Sequence, residues 1–235
     1  AYALGVRLVG SEMCIRDSHV TSDDSMMFQL PNTSLAGLQA HSIGVPWLPI
    51  LSKGNEEEEI NDLENGIRGA SDVRLAFERV KNDTETIDFP DELILKTDDL
   101  EIDALVVGAL RSDYQKTRIE RMCERLNLIS YCPLWHHIPE SHMESLVEHG
   151  FDVRIVSVST DGLGEQWLGV KIDKKTLDSL SIISSQFRFN LDGEGGEFET
   201  IVVDAPHMKQ LIEVLGHPEW KGNRGIWVID SAKLS

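Results

Sequence analysis

Ile102-Asp103-Ala104-Leu105-Val106-Val107-Gly108-Ala109 is a near-continuous apolar run that contains a single charged residue. Such runs are typical of strands in a parallel sheet, because helices cover both faces of that kind of sheet. A helical period begins at about Ser112, and a further strand pattern spans Leu128 to Trp135. Because strand, helix and strand alternate, the sequence predicts an α/β domain with a mostly parallel sheet. Its ligand site is expected at the carboxyl ends of the strands.

The helix that follows this run has an apolar side and a separate basic stripe. The apolar side consists of Ile119, Met122, Cys123 and Leu126. The stripe consists of Tyr114, Arg118, Arg121 and Arg125. Ion pairs with the glutamates at positions 120 and 124 are the simpler explanation for Arg121 and Arg125. Arg118 lies nearest the preceding loop and is therefore the candidate functional residue of the stripe.

Helix and strand patterns continue on both sides of the run and divide the chain into two domains. Upstream, a helix at 35–43 ends at Gly44, which is a favourable C-cap. A short strand flanked by prolines follows at 45–50, and an edge position would tolerate those prolines. An acidic helix start at 56–59 and a helix at 73–80 come next. Downstream, helices are predicted at 143–149 and 174–187 and strands at 153–158, 201–203 and 226–229. We therefore predict an α/β domain over 19–137 and a smaller α/β domain over 138–235.

The first 18 residues fit none of these patterns. The segment from Gly10 to Ser18 resembles the translation of sequencing-adapter DNA at the end of a gene fragment. We expect residues 1–18 to be non-native, and His19 to Thr21 to be the end of a strand, followed by a polar loop at 22–25.

Composition excludes two classes of partner. The formal net charge of −18 and the pI near 4.7 argue against binding of nucleic acid or of anionic membranes, since both require a basic surface. The apolar runs are too short to span a bilayer. The chain is therefore expected to bind neither.

The cysteines and histidines do not form a recognisable metal motif. Cys14, Cys123 and Cys132 have no metal-type spacing, and an odd number of scattered thiols indicates a reducing compartment, with the cytoplasm as the expected location. The histidines at 136, 137, 142 and 149 lack the helical spacing and acidic neighbours of a zinc helix. We therefore predict no metal ligands in the chain.

Gly193-Glu194-Gly195-Gly196-Glu197-Phe198-Glu199-Thr200 combines glycines and carboxylates directly before an apolar strand. Glycine allows a backbone to turn through positive φ and to approach a ligand closely. On a strand, Glu197 and Glu199 fall on one face, while Phe198 and Thr200 fall on the other. A solvated acidic turn and a binding loop both fit this pattern when it is taken alone.

Several motifs together resemble the diphthine–ammonia ligase family, and their order and approximate spacing match as well. The motifs are Asp24 to Phe28 with Pro31-Asn32, Gly108 to Arg118, Pro133-Leu134-Trp135, Gly162-Leu163 with Trp167-Leu168-Gly169, and Gly193 to Thr200. The resemblance extends from about Val20 to at least Pro206. Each motif is weak alone, and the combination is specific.

The resemblance implies an ATP pyrophosphatase of the adenine nucleotide alpha-hydrolase type, with a Rossmann-like nucleotide-binding domain before a smaller domain. The family reaction amidates diphthine, a modified histidine of translation elongation factor 2, and consumes ATP and ammonium. The carboxylate becomes an acyl-adenylate, ammonia displaces AMP, and pyrophosphate is released. ATP, and Mg²⁺ bound with it, are therefore the expected cofactors.

The resemblance also assigns roles to residues of the two motif groups. Arg118 is the catalytic candidate, since it can stabilise charge on the phosphoryl group during adenylation. The expected nucleotide-binding residues are Gly108, Ala109, Ser112, Asp113, Tyr114 and Gln115, with Ser112 either capping the helix or donating to phosphate. The expected substrate-binding residues are Trp167, Glu194, Gly195, Gly196, Glu197, Phe198 and Glu199. The carboxylates would hold the trimethylammonium group of diphthine or select ammonium, and Trp167 or Phe198 would add a cation–π surface.

The sequence departs from the family at its start. Family members carry a Ser-Gly-Gly-x-Asp-Ser loop that holds pyrophosphate, and no glycine pair precedes Asp17-Ser18 here. We therefore expect an N-terminally truncated, inactive fragment of an active ligase. The region from Gly66 to Asp99 is also longer than is usual in the family. Two alternatives remain open, a related ligase that acts on another carboxylate and a nucleotide-binding or protein-binding module without turnover.

Overall fold

The computed structural model describes residues 4–6, 14–20, 33–52, 58–98 and 100–235. The chain forms two compact units, Ala1–Trp135 and His136–Ser235. The polar loop expected at 22–25 and the motif from Asp24 to Asn32 lie outside the described residues. Within the described part of the chain, none of the helices has the length and apolar character that crossing a membrane requires.

The first unit contains parallel strand pairs flanked by helices. Its strands are β1 (Leu4–Val6), β2 (Cys14–Val20), β3 (Trp47–Ser52), β4 (Ala104–Val106) and β5 (Ile129–Tyr131). Its helices are α1 (Ala36–Ile43), α2 (Glu58–Ile67), α3 (Val73–Asp83) and α4 (Asp113–Leu126). Strand β2 pairs antiparallel with β1 and parallel with β3, and β4 pairs parallel with β5. The predicted α/β class with parallel pairing is confirmed.

Residues 14–18, which the sequence patterns left outside the fold, lie in β2. They pair in parallel with β3, in a register that runs from Ile15 opposite Trp47 to Val20 opposite Ser52. A backbone ladder of this kind forms from N–H and C=O groups whatever the side chains are, so it leaves little trace in a hydrophobic pattern. Strand β3 is at one end of the order β1-β2-β3, a position that tolerates its prolines, and among the described residues its other side bonds only at Trp47, with Ile94 and Lys96.

The two strands that decide the fold are shorter than predicted. The runs at 102–109 and 128–135 are regular only over Ala104–Val106 and Ile129–Tyr131. Single hydrogen bonds continue the ladder at both ends, from Val107 N to the Tyr131 carbonyl at 2.8 Å and from Ile129 N to the Asp103 carbonyl at 2.9 Å. Beyond Cys132 the ladder stops, because Pro133 has no N–H to donate.

A buried apolar cluster of this unit lies between α2, α4 and strand β4. Leu63, Leu105 and Met122 are fully buried, and Ile119 and Cys123 are nearly so. The apolar side predicted for α4 is therefore the side that packs into the core. Gly44 adopts φ 82° and ends α1 as predicted, with its N–H donating to the carbonyls of Ala40 and His41.

The second unit is an antiparallel sheet covered by helices. Its strands are β6 (Asp152–Val158), β7 (Phe198–Asp204), β8 (Ile212–Lys221) and β9 (Arg224–Leu234), in the order β7-β6-β9-β8. Its helices are α5 (Pro139–Glu148) and α6 (Lys174–Phe187), and α6 buries Leu177, Leu180 and Ser184. Every neighbouring strand pair is antiparallel. Strand β8 was not predicted, because most of its side chains are exposed and Gly216 and Pro218 interrupt its pattern.

A histidine on the β8–β9 hairpin makes this unit sensitive to pH. Nδ1 of His217 lies 3.0 Å from each carboxylate oxygen of Asp230, and this contact raises the pKa of His217 above 6.5. A raised folded pKa means that the contact stabilises the fold fully below pH about 6.5 and that this contribution disappears as pH rises through the folded pKa.

We expect the substitution Asp230→Asn to lower the pKa of His217 and to remove this pH-dependent contribution. NMR titration of the histidine ring measures the pKa, and unfolding of both proteins on each side of neutrality measures the stability. The exposed His149, which lies outside the hairpin, provides the internal reference signal. An unchanged titration of His217 would contradict the assignment.

Candidate functional site

The nucleotide-side candidates lie where β4 ends and α4 begins. Ala109 is buried, Gly108 is half-buried, and Ser112 is the N-cap of α4. The Ser112 hydroxyl accepts a hydrogen bond from the backbone N–H of Gln115 at 3.3 Å. Of the two roles considered for Ser112, the structure therefore shows the capping role. Asp113 is exposed in the first turn of the helix, where a negative charge is favourable.

Arg118 is held against the ring of Tyr114, one helical turn earlier. The centre of the guanidinium group lies 3.5 Å from the ring centroid, a cation–π contact between positions i and i+4. Both residues are half-buried on α4. The contact limits the orientations that the Arg118 side chain can adopt, and the planar guanidinium group suits phosphate geometry.

One arginine of the basic stripe, Arg125, is paired differently from the prediction. Arg125 donates to Glu64 on α2 from Nε at 2.9 Å, and not to the neighbouring glutamate at position 124. Burial raises the pKa of Glu64, but hydrogen bonds from Arg125 and Arg68 outweigh it and hold that pKa below its usual range. Lys116 forms an ion pair with Glu120. Arg125 is therefore a structural residue, and Arg118 stays the candidate of the stripe because it lies nearest the preceding loop.

Lys116 is a nearby cation that the sequence analysis did not single out. Its ammonium group lies over the ring of Trp135, 5.1 Å from the centroid. Trp135 ends the Pro133-Leu134-Trp135 motif, and the contact therefore places that motif beside the first half of α4. The Pro133-Leu134-Trp135 motif could be recognised in the sequence, but nothing in the sequence indicated that Lys116 contacts it.

The acidic loop of the second unit is shaped by glycines and attached to the end of β6. Gly193 and Gly196 adopt φ 71° and 78°, which non-glycine residues rarely do. The backbone N–H of Gly196 donates to the Gly193 carbonyl at 2.9 Å. Ser159 donates from its backbone N–H to the Glu197 carbonyl at 2.9 Å and from its hydroxyl to the Gly196 carbonyl at 2.5 Å.

Two half-buried carboxylates project from the start of β7. Oε1 of Glu197 accepts hydrogen bonds from the backbone N–H and the side-chain amide of Asn190, at 2.9 and 3.1 Å. Oε2 of Glu197 and Oε2 of Glu199 are both buried without a hydrogen-bond partner among the described residues. Burial raises the pKa of Glu199 above 4.5. Buried carboxylate oxygens of this kind are suited to a cationic ligand, because a charge removed from water is costly unless it is paired.

The other acceptor-side candidates, Glu194, Phe198 and Trp167, differ in their exposure to solvent. The backbone N–H of Glu194 lies 3.4 Å from a carboxylate oxygen of Asp192, within the loop. Phe198 points to the opposite face of β7, is 2% exposed and packs edge-on against Phe189. Trp167 is also buried. Both rings are largely removed from the surface, and their role as a cation–π surface stays a prediction.

In the part of the chain that the structure describes, no group of three or more histidine, cysteine, aspartate or glutamate side chains is arranged to hold a metal ion. His137 and His142 are in contact, with their ring centroids 5.9 Å apart.

Comparison with known proteins assigns both units to one family. The second unit matches the diphthamide synthase C-terminal domain over residues 138–234. The first unit matches the diphthamide synthase N-terminal domain over residues 9–82 and 70–130. This match includes residues 9–18, which the sequence patterns had left aside, and its two segments overlap in the region where an insertion was expected.

Individual relatives agree with these domains. The chain is 30% identical over 206 residues to human diphthine–ammonia ligase, an alignment that covers 84% of this chain and 69% of the relative. It is 28% identical over 221 residues to the Saccharomyces cerevisiae diphthine–ammonia ligase, covering 85% of this chain and 30% of the relative. A Schizosaccharomyces pombe enzyme of the same name is 35% identical over 112 residues, covering 48% of this chain and 18% of the relative. The chain therefore belongs to the diphthamide synthase family of ATP-dependent ligases.

Proposed function

We propose that the protein to which this chain belongs converts diphthine on translation elongation factor 2 to diphthamide. ATP and ammonium are consumed, and AMP and pyrophosphate are released. The observation that carries the proposal is the pair of half-buried carboxylates Glu197 and Glu199, in a chain whose two units both match this family. The scattered thiols favour a reducing compartment, and we propose a cytoplasmic location for this protein.

The proposed reaction has two steps. A carboxylate oxygen of diphthine attacks the α-phosphorus of ATP, and pyrophosphate leaves with the electrons of the broken P–O bond. Ammonium loses a proton to solvent to become ammonia, which attacks the acyl carbon; AMP then leaves, and the nitrogen loses a second proton to give the amide. The first step converts a poor leaving group into a good one, which is the reason that ATP is required.

The first unit supplies residues that fit a nucleotide. Gly108 and Ala109 have little or no side chain at the strand end, and the N-terminus of α4 favours negative charge. Arg118, oriented by Tyr114, is the residue that we propose to stabilise phosphoryl charge during adenylation. Asp113, Tyr114 and Gln115 would line the same helix start. ATP normally brings Mg²⁺, which we propose as a companion of the nucleotide and not as a ligand of a dedicated protein site.

The second unit supplies anionic groups for the acceptor. Diphthine carries a trimethylammonium group, and ammonium is also a cation, so both reactants are attracted by carboxylates. We propose that Glu197 and Glu199, together with Glu194 of the same loop, attract one of these cations. Because Gly195 and Gly196 have no side chains, they leave space beside these carboxylates.

We expect Glu197→Gln to weaken binding of diphthine-modified elongation factor 2 about tenfold, because the neutral amide loses the attraction to a cation while keeping nearly the same shape. Calorimetry on the modified and unmodified factors measures the effect. The matched control is Glu148→Gln, which removes the same charge from an exposed position of the same unit. Equal binding by both variants and the wild type would exclude Glu197 from the site.

For the 235-residue polypeptide as written, we expect negligible ligase turnover. The sequence contains no Ser-Gly-Gly-x-Asp-Ser motif, and the backbone N–H groups of such a loop are what holds pyrophosphate in this type of enzyme. The measurement is ATP- and ammonium-dependent release of AMP in the presence of the modified factor. Turnover comparable to that of a family member with the motif would contradict the prediction. AMP release that occurs only with another carboxylate would favour the related ligase.

A further inference from the structure

The carboxylate of Glu197 is folded back over its own loop. Two donors of Asn190, the backbone N–H at 2.9 Å and the side-chain amide at 3.1 Å, converge on Oε1. On the other side the carboxylate lies directly against Gly195. A Cβ atom at position 195 would be 2.7 Å from Oε1 and 2.9 Å from Cδ of Glu197, closer than such atoms approach in proteins.

The three glycines of this loop are therefore required for different reasons. Gly193 and Gly196 have positive φ, whereas Gly195 does not, so the backbone conformation at 195 is open to any residue. A Cβ at Gly196 would meet nothing within 4 Å, whereas one at Gly195 would meet the Glu197 carboxylate. The absence of a side chain at position 195 is thus explained by the place that the carboxylate occupies.

We propose that Asn190 and Gly195 are positioning residues for Glu197. Asn190 fixes Oε1 of the carboxylate, and Gly195 provides the space in which the group lies. Oε2, which is buried without a hydrogen-bond partner in the described ranges, is the oxygen that would pair with the cationic group of the acceptor. The inference rests on the proposed function, since it assigns these residues a purpose through the carboxylate that is proposed to bind the acceptor. Neither residue needs to touch the substrate.

Two alanine substitutions in the second unit separate positioning from structure. In Gly195→Ala the new methyl group displaces the flexible end of Glu197 without straining the backbone, so we expect binding of diphthine-modified elongation factor 2 to weaken about tenfold at nearly unchanged thermal stability. In Gly222→Ala, in the turn between β8 and β9, the backbone is strained because Gly222 has φ 65°, and the new methyl group meets no atom within 4 Å, so stability falls while affinity stays within about twofold. Asn190→Ala keeps the backbone donor and should weaken binding about fivefold.

A double-mutant cycle shows whether these effects act through Glu197. In the Glu197→Gln background, Gly195→Ala and Asn190→Ala should have no further effect on affinity. Additive losses, or wild-type affinity in Gly195→Ala, would overturn the positioning role alone. If the wild-type chain does not distinguish the modified from the unmodified factor, the proposed function fails, and the positioning role fails with it.

Discussion

The substitution Leu105→Ala is expected to lower the free energy of unfolding of the first unit by about 3–4 kcal/mol. Leu105 lies on β4, is fully buried and packs in the same cluster as Leu63, Ile119 and Met122. Removing its side chain beyond Cβ loses apolar burial and leaves a cavity. The cavity cannot close fully, because the residues around it are held in place by α2, which precedes the strand in the chain, and by α4, which follows it.

The measurement is hydrogen exchange of peptides from the first unit in increasing urea, which reports the stability of that unit separately from the second one. Val106→Ala is the matched control, since it truncates the neighbouring half-buried residue of the same strand. We expect a loss of about 1 kcal/mol there. Equal losses at the two positions would mean that β4 does not form the centre of this core.

The substitution Gly193→Ala is expected to lower the free energy of unfolding of the second unit by about 2–3 kcal/mol. Gly193 has φ 71°, and a Cβ atom there would lie 2.6 Å from the carbonyl oxygen of Phe198. That oxygen belongs to the backbone of β7, which cannot move aside as the end of a side chain can. The substitution therefore combines an unfavourable conformation with a collision, and the loop must separate from the strand to relieve both.

Gly196→Ala isolates the two contributions, because Gly196 has φ 78° and a Cβ there would meet no atom within 4 Å. Its expected cost is about 1 kcal/mol, from conformation alone. Urea unfolding of the two variants gives the difference, which we attribute to the contact with Phe198. A Gly193→Ala variant no less stable than Gly196→Ala would show that the strand yields to the new methyl group.

Local signals in the sequence were sufficient for the elements that carry the first candidate site. The apolar side of α4, its serine cap and the buried strand before it each depend on residues within a few positions of one another, and the structure contains all three. The lengths of β4 and β5 were overestimated because apolar residues continue past the point where backbone pairing ends.

Contacts between distant parts of the chain were not predictable in the same way. Arg125 bonds with Glu64, 61 positions earlier, although a glutamate is its immediate neighbour. The orientation of Glu197 depends on Asn190 and on a serine at the end of another strand. Such pairings follow from how elements pack, and charge pattern alone cannot select among the possible partners.

If the loop binds the acceptor as proposed, the two hydrogen bonds from Ser159 reduce the conformational entropy that binding would cost. A free loop must lose conformational entropy when it closes on its partner, and this loss subtracts from affinity. The loop from Gly193 to Glu197 is joined to the end of β6 through the carbonyls of Gly196 and Glu197, so its shape is fixed by a sheet that folds without any ligand. A cation that reaches it therefore meets carboxylates that are already ordered, and the ordering cost has been met during folding.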